Sequence, residues 1–289
     1  MLTFSTEQVR ALAQALSFRL EDEPWTRIRQ HYPHQVQVLG EGPLRAFVRL
    51  VIKRALGYGL DSQYACSHYL GIGLSLGAFF DLDPQYPWAR DILADQGLDA
   101  ERKIARLRSV ADRYLGTITG PGDGHLHAAL RQTQILAANP DFGALGQDRK
   151  ASIADLLRVL YPQKYATLTP EILTAFAAEA RYKANAYGVT DRPTLTLLVI
   201  LMFLLGSGCD HDPLYPRIRD ALGMPAAEPA TKRRRLFAAS RRYLQHHDRV
   251  LLREARLPPV GGEEKGAGRR TERKRRPRGS QDRRWHRER

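Results

Sequence analysis

Gly77-Ala-Phe-Phe-Asp-Leu-Asp-Pro-Gln-Tyr-Pro-Trp-Ala-Arg-Asp-Ile-Leu93 returns 129 residues later as Gly206-Ser-Gly-Cys-Asp-His-Asp-Pro-Leu-Tyr-Pro-Arg-Ile-Arg-Asp-Ala-Leu222. A shared Asp-x-Asp-Pro-x-Tyr-Pro with Arg-Asp close behind is too specific for two unrelated helical segments. At the same offset, residues 25–115 and 154–244 align without a gap and agree at 26 of 91 positions. Tyr32-Pro33 falls on Tyr161-Pro162, Ala46-Phe47 on Ala175-Phe176, Tyr58-Gly59 on Tyr187-Gly188, and Arg113-Tyr114-Leu115 on Arg242-Tyr243-Leu244. The sequence predicts two tandem copies of one domain.

The pattern inside each copy is helical. Leu44, Phe47, Val48, Val51, Ile52 and Ala55 recur at spacings of three and four, and Tyr58-Gly59 supplies a residue able to turn left-handed and end the helix. Leu173, Phe176, Ala177, Ala180 and Ala184, followed by Tyr187-Gly188, repeat the device. The next segments, about 62–78 and 192–206, are apolar nearly all round, as a central helix wrapped by its neighbours must be. Pro87 and Pro216 suit the first position of a new helix, where proline loses no hydrogen bond. Ser5-Thr-Glu-Gln8 has capping-box spacing and predicts a first helix there. A connecting helix is expected over 125–138. Alternating β-branched runs closed by Asn-Gly or Asp-Gly are nearly absent, so the predicted fold class is all-α.

A chain of 289 residues supports about two domains, expected as 1–122 and as 123–250, the latter including the connecting helix. Cys66 and Cys209 are too few for a disulfide framework. The opening MLTFSTEQVR has no apolar signal core, and the longest apolar run, Leu197 to Leu205, is far short of the roughly 20 residues of a membrane span. A cytoplasmic protein without a membrane partner is therefore expected. Charge is uneven: from Lys265 to Arg289 twelve Lys or Arg face three acids, so 12 − 3 leaves +9 of the net +14 in that stretch. Residues 251–289 are expected as a basic, disordered tail.

Few residues are suited to chemistry. The aspartates of the repeated loops, Asp81 with Asp83 and Asp210 with Asp212, could share a hard cation, but that needs more ligands than the loop offers. Capping the turn before the Pro87 and Pro216 helices is the expected role. His125-Leu-His127 and His246-His247-Asp248 lack the four convergent ligands of a zinc site. Gly71-Ile-Gly73 follows no strand, so a dinucleotide site is not expected. No nucleophile elbow, phosphate-binding loop or zinc-protease motif occurs. A non-enzymatic protein with no cofactor and no metal is the expectation.

Lys232, Arg233, Arg234, Arg235, Arg241 and Arg242 on the last helix, with Arg273, Lys274, Arg275 and Arg276 in the tail, could neutralise a run of phosphates. The alternative is a solvated helix face and an extension that holds an acidic protein.

In the first copy, His31-Tyr-Pro, Leu44-Arg-Ala-Phe-Val-Arg, Tyr58-Gly, Tyr69-Leu, Leu76-Gly, Phe80-Asp and Asp83-Pro-Gln-Tyr-Pro-Trp-Ala-Arg-Asp-Ile-Leu-Ala form a string. It resembles small helical proteins of Proteobacteria encoded beside spike and PAAR-repeat toxin genes of type VI secretion systems. The likeness covers about residues 1–115. The second copy departs at Trp88, replaced by Arg217, and at Phe80, replaced by Cys209. The resemblance implies a non-enzymatic partner of a secreted toxin or effector, either an immunity protein or a loading adaptor. Tyr58, Asp81, Asp83, Tyr86, Trp88, Asp210, Asp212 and Tyr215 are its candidate protein-binding residues, with nucleic-acid binding through the basic helix and tail as the rival.

Overall fold

The computed structural model describes Trp25, Arg29 and residues 33–138, 152–223 and 228–254, the side chains of the last helix as far as Leu244. Over these residues the protein is all-α. The Ser5 capping box, the tail beyond 254 and the side chains of His246, His247 and Asp248 lie outside the described residues.

The first half runs α1 (Pro33–Leu39), α2 (Glu41–Gly57), α3 (Gln63–Leu76), α4 (Pro87–Ala94) and α5 (Ala100–Thr119). A 3-10 turn, Pro121–Asp123, leads into α6 (Gly124–Ala138), the expected connecting helix. The second half runs α7 (Ile153–Leu160), α8 (Pro162–Tyr165), α9 (Pro170–Ala186), α10 (Arg192–Leu205), α11 (Pro216–Leu222) and α12 (Pro229–Glu254).

Local chemistry sets these boundaries. On α2 the buried stripe is Leu44, Phe47, Val48, Val51 and Ala55, and the helix ends where Gly59 turns left-handed and the Leu60 N–H returns to the Ala55 carbonyl. The second half ends α9 the same way, with Gly188 left-handed and the Val189 N–H on Ala184. The Ser62 hydroxyl caps α3 and the Asp191 carboxylate caps α10, each accepting an N–H that the first turn leaves unpaired. Both central helices are buried almost throughout, and α4 and α11 each open on proline.

Buried side chains form a single cluster from Trp25 to Leu244, so the segments expected as separate helical domains share one core where they are described. Helix α5 packs on α3 and α4, α12 packs on α10 and α11, and α6 lies against both α5 and α12. Among the described residues no helix is long and apolar enough to cross a membrane.

Candidate functional site

The two central helices end against each other. Gly77 after α3 and Gly206 after α10 both have left-handed φ, +100° and +96°. A Cβ on Gly77 would lie 2.7 Å from the Leu205 carbonyl oxygen, and one on Gly206 would lie 2.7 Å from that of Leu76. Only glycine permits backbones this close. The Asp-x-Asp-Pro loops therefore start side by side, and Phe79 of the first lies over Gly208 of the second.

From there each loop reaches into the other half. Asp83 accepts from the Ser207 N–H at 2.6 Å and the Ser207 hydroxyl at 2.7 Å, and from the Gln85 N–H at 2.9 Å within its own turn. Gln85 Nε2 donates to Asp83 at 3.2 Å and to the Met202 carbonyl of α10 at 3.1 Å. Asp212 accepts from the Ala78 N–H at 2.8 Å and the Leu214 N–H at 2.9 Å. Asp83 and Asp212 are 129 apart in the sequence, as are Ala78 and Ser207, so the exchange is reciprocal. The expected capping of the loop's own turn is present for Asp83 and Asp212, in the bonds to Gln85 and Leu214, whereas Asp81 and Asp210 bond to side chains of α2 and α9 instead. That capping is one part of a clasp between the halves. Burial pushes both carboxyls up, Asp212 to about 6, against the pull of their N–H donors.

The first aspartate of each loop has other partners. Asp81 accepts from Arg54 at 2.6 and 3.1 Å and from the Tyr58 hydroxyl at 2.8 Å. Asp210 accepts from Lys183 at 2.7 and 2.8 Å and from the Tyr187 hydroxyl at 2.8 Å. Cation and tyrosine lie four apart at the C-terminal ends of α2 and α9, the tyrosine as the residue that caps each helix, so a single carboxylate meets both. Burial and the bond to Asp81 push the Tyr58 hydroxyl up to about 12. The two carboxylates of each loop thus face different donors, and among the described residues no group of three His, Cys, Asp or Glu converges as a metal site would require.

Of the candidate protein-binding residues, Asp81, Asp83, Tyr86, Asp210, Asp212 and Tyr215 are buried, while Tyr58 and Trp88 are half-buried. What the loops turn outward is Leu82, 60% exposed, and its counterpart His211, whose side chain is 64% exposed and lies 3.3 Å from Asp210. In the basic helix, Lys232 is buried with its amine on the Tyr187 carbonyl, and Arg233 lies 3.8 Å from Asp191. Arg234, Arg235, Arg241 and Arg242 are exposed. Arg273, Lys274, Arg275 and Arg276 lie outside the described residues.

Sequence inspection missed Arg54, Lys183 and Lys164. The first two coincide in the repeat register as Arg over Lys, a like-charge substitution that an identity count passes over. Lys164 aligns with Gln35 and gives no such signal. Its buried amine donates to the Tyr86 hydroxyl at 3.0 Å and to the Phe203 carbonyl, 5.4 and 5.1 Å from the two ring centres, and so joins α8 to both loops' surroundings. Burial lowers it from the ordinary 10.5 to about 8, against the pull of Asp83. Between those values the unfolded chain keeps a proton that the folded chain has released. Stability should therefore rise with pH across that window, by on the order of 3 kcal/mol, and gain nothing below about pH 8. Lys164→Met should remove the rise. Melting temperatures of both proteins near pH 7 and near pH 9.5 check it; a difference between them that does not change with pH would contradict it.

No protein-family model matches the chain, and neither the curated proteins nor the solved structures give a match.

Proposed function

We propose that this protein is a non-enzymatic, protein-binding accessory of a bacterial toxin or secretion system, built as two tandem copies of one helical domain. It would act in the cytoplasm of the producing cell as an immunity protein or an effector-loading adaptor. Leu82 carries the reading. It stands 60% exposed between two buried carboxylates, Asp81 and Asp83, each held by several donors. An apolar side chain presented by a loop fixed on both sides loses little freedom when a partner covers it, which favours a binding anchor. The four aspartates of the loops are meanwhile committed to holding them.

The tandem reading is supported by the recurrence of the tyrosine, cation and aspartate contact 129 residues apart and by the reciprocal clasp. The link to toxin secretion rests on the resemblance of the first 115 residues. The exposed arginines of α12 favour a second reading, nucleic-acid binding aided by the basic tail.

Co-expression with the products of the genes flanking its own tests the proposal. A tagged wild-type protein should retain one of them at about 0.15 M salt, within the physiological screening range. Leu82→Arg should reduce that retention by at least about tenfold, as loss of a central anchor does, and leave the melting temperature unchanged. Retention of nucleic acid alone, steeply reduced by salt, would favour the rival.

A further inference from the structure

We propose that Phe79 and Gly208 form a key on the local two-fold axis of the clasp, which lets a first half pair with a second half and bars two like halves from pairing. The first half of one copy of this chain is thereby kept from docking on the first half of another. This inference rests on the tandem reading above and gives a role to two residues that reading leaves without one.

Contacts that recur with the halves exchanged define the axis. Asp83 accepts from the Ser207 N–H, and Asp212 accepts from the Ala78 N–H. A Cβ on Gly77 would meet the Leu205 carbonyl, and one on Gly206 the Leu76 carbonyl, both at 2.7 Å. In each pair of contacts, one becomes the other when every residue is replaced by its counterpart 129 positions away. Gly208 is the counterpart of Phe79 itself, and a Cβ on Gly208 would lie 2.8 Å from the Phe79 Cβ and 2.6 Å from its Cδ2. A residue that touches its own counterpart sits on the axis relating them.

On such an axis two identical halves present the same residue twice. Phenylalanine against phenylalanine would set Cβ against Cβ at 2.8 Å, closer than real side chains come, and glycine against glycine would leave the space of the ring unfilled. Unequal residues fill the point, and a chain that carries both halves can hold them. Backbone conformation does not call for glycine here, since Gly208 is not among the glycines with left-handed φ. The Phe79 side chain does. The rest of the clasp has no such preference: Gly77, the Ala78 N–H and Asp83 all belong to the first half, so two first halves would offer each other the same glycine contact and the same pair of N–H to carboxylate bonds. The first half is also made first during synthesis, before a second half is at hand. A clash built against the wrong partner supplies the missing selectivity. Arg54 lies over the Phe79 ring, 5.1 Å from its centre, and Lys183 holds the equivalent position in the second half. A ring moved to position 208 therefore has a cation on its own side as well.

Full-length chains reproduce the four pairings: wild type sets Phe against Gly, Gly208→Phe sets Phe against Phe, Phe79→Gly sets Gly against Gly, and the double variant sets Gly against Phe. Urea unfolding reads each as a ratio of folded to unfolded protein. Gly208→Phe and Phe79→Gly should each lower that ratio at least about fivefold, the first by overpacking and the second by lost burial. The double variant should be more stable than either single one, because the axis makes its two sides interchangeable. Gly208→Ala is the mild form for the event that Gly208→Phe does not fold. It should lower the ratio at least about fivefold in the wild-type background and leave it unchanged or raised in Phe79→Gly. A double variant that falls below either single one, or a Gly208→Ala loss of the same size with and without Phe79, would overturn the proposal. If the key fails this test while Asp83→Ala still weakens both central helices together, the key is wrong and the tandem clasp stands. If the key passes and the central helices weaken separately, the key stands and the clasp falls.

Discussion

Replacing Asp83 by alanine is expected to lower the stability of the whole protein by about 3 to 5 kcal/mol, the sum over several buried donors left without their acceptor. A lost helix or turn cap alone would cost about 0.5 to 2 kcal/mol. The difference comes from where the donors lie. Ser207 gives Asp83 its N–H and its hydroxyl, Gln85 gives its N–H and its amide, and both residues are buried. Each donor left orphaned costs about 1 to 3 kcal/mol before relaxation. Asp83→Asn keeps the shape and an acceptor and should fall between alanine and wild type. Urea unfolding reads the effect as a lower midpoint at unchanged slope. A loss within the range of a simple cap would mean that the bonds to Ser207 contribute nothing.

Gly206→Ala should be damaging for a different reason. Its φ of +96° is one that side-chain-bearing residues rarely adopt, and the added Cβ would sit 2.7 Å from the Leu76 carbonyl, a backbone atom at the end of the other central helix. Backbone strain of about 1 to 3 kcal/mol and overpacking of about 1 to 3 kcal/mol add at this point. Gly59→Ala is the control. Gly59 is also left-handed, at +75°, but nothing lies within 4 Å of its Cβ position, so only the conformational part, about 1 to 2 kcal/mol, applies. Equal losses at the two glycines, measured by thermal or urea unfolding, would show that the helix ends do not abut as described.

Periodicity and punctuation made the helices legible. The stripe Leu44, Phe47, Val48, Val51, Ala55 is the buried face of α2, and the apolar segments expected over 62–78 and 192–206 are α3 (63–76) and α10 (192–205). Both signals are local, and so within reach of a linear reading. The clasp is not local. The repeated loop was plain in the sequence, and its aspartates were expected to serve their own turns, because no pattern in one dimension says that Asp83 finds its donors on Ser207, 124 residues away. The tyrosine, cation and aspartate contacts were hidden by the exchange of Arg54 for Lys183.

The central structural claim is that the two halves hold one another through reciprocal aspartates, and native-state amide hydrogen exchange on Asp83→Ala tests it most directly. Asp83 belongs to the first half, yet its donors on Ser207 follow α10 of the second. Protection of residues 192–205 should fall together with that of residues 63–76, and by the same free energy. If residues 63–76 lose protection while residues 192–205 keep theirs at the wild-type level, the halves are independent and the clasp does not hold them.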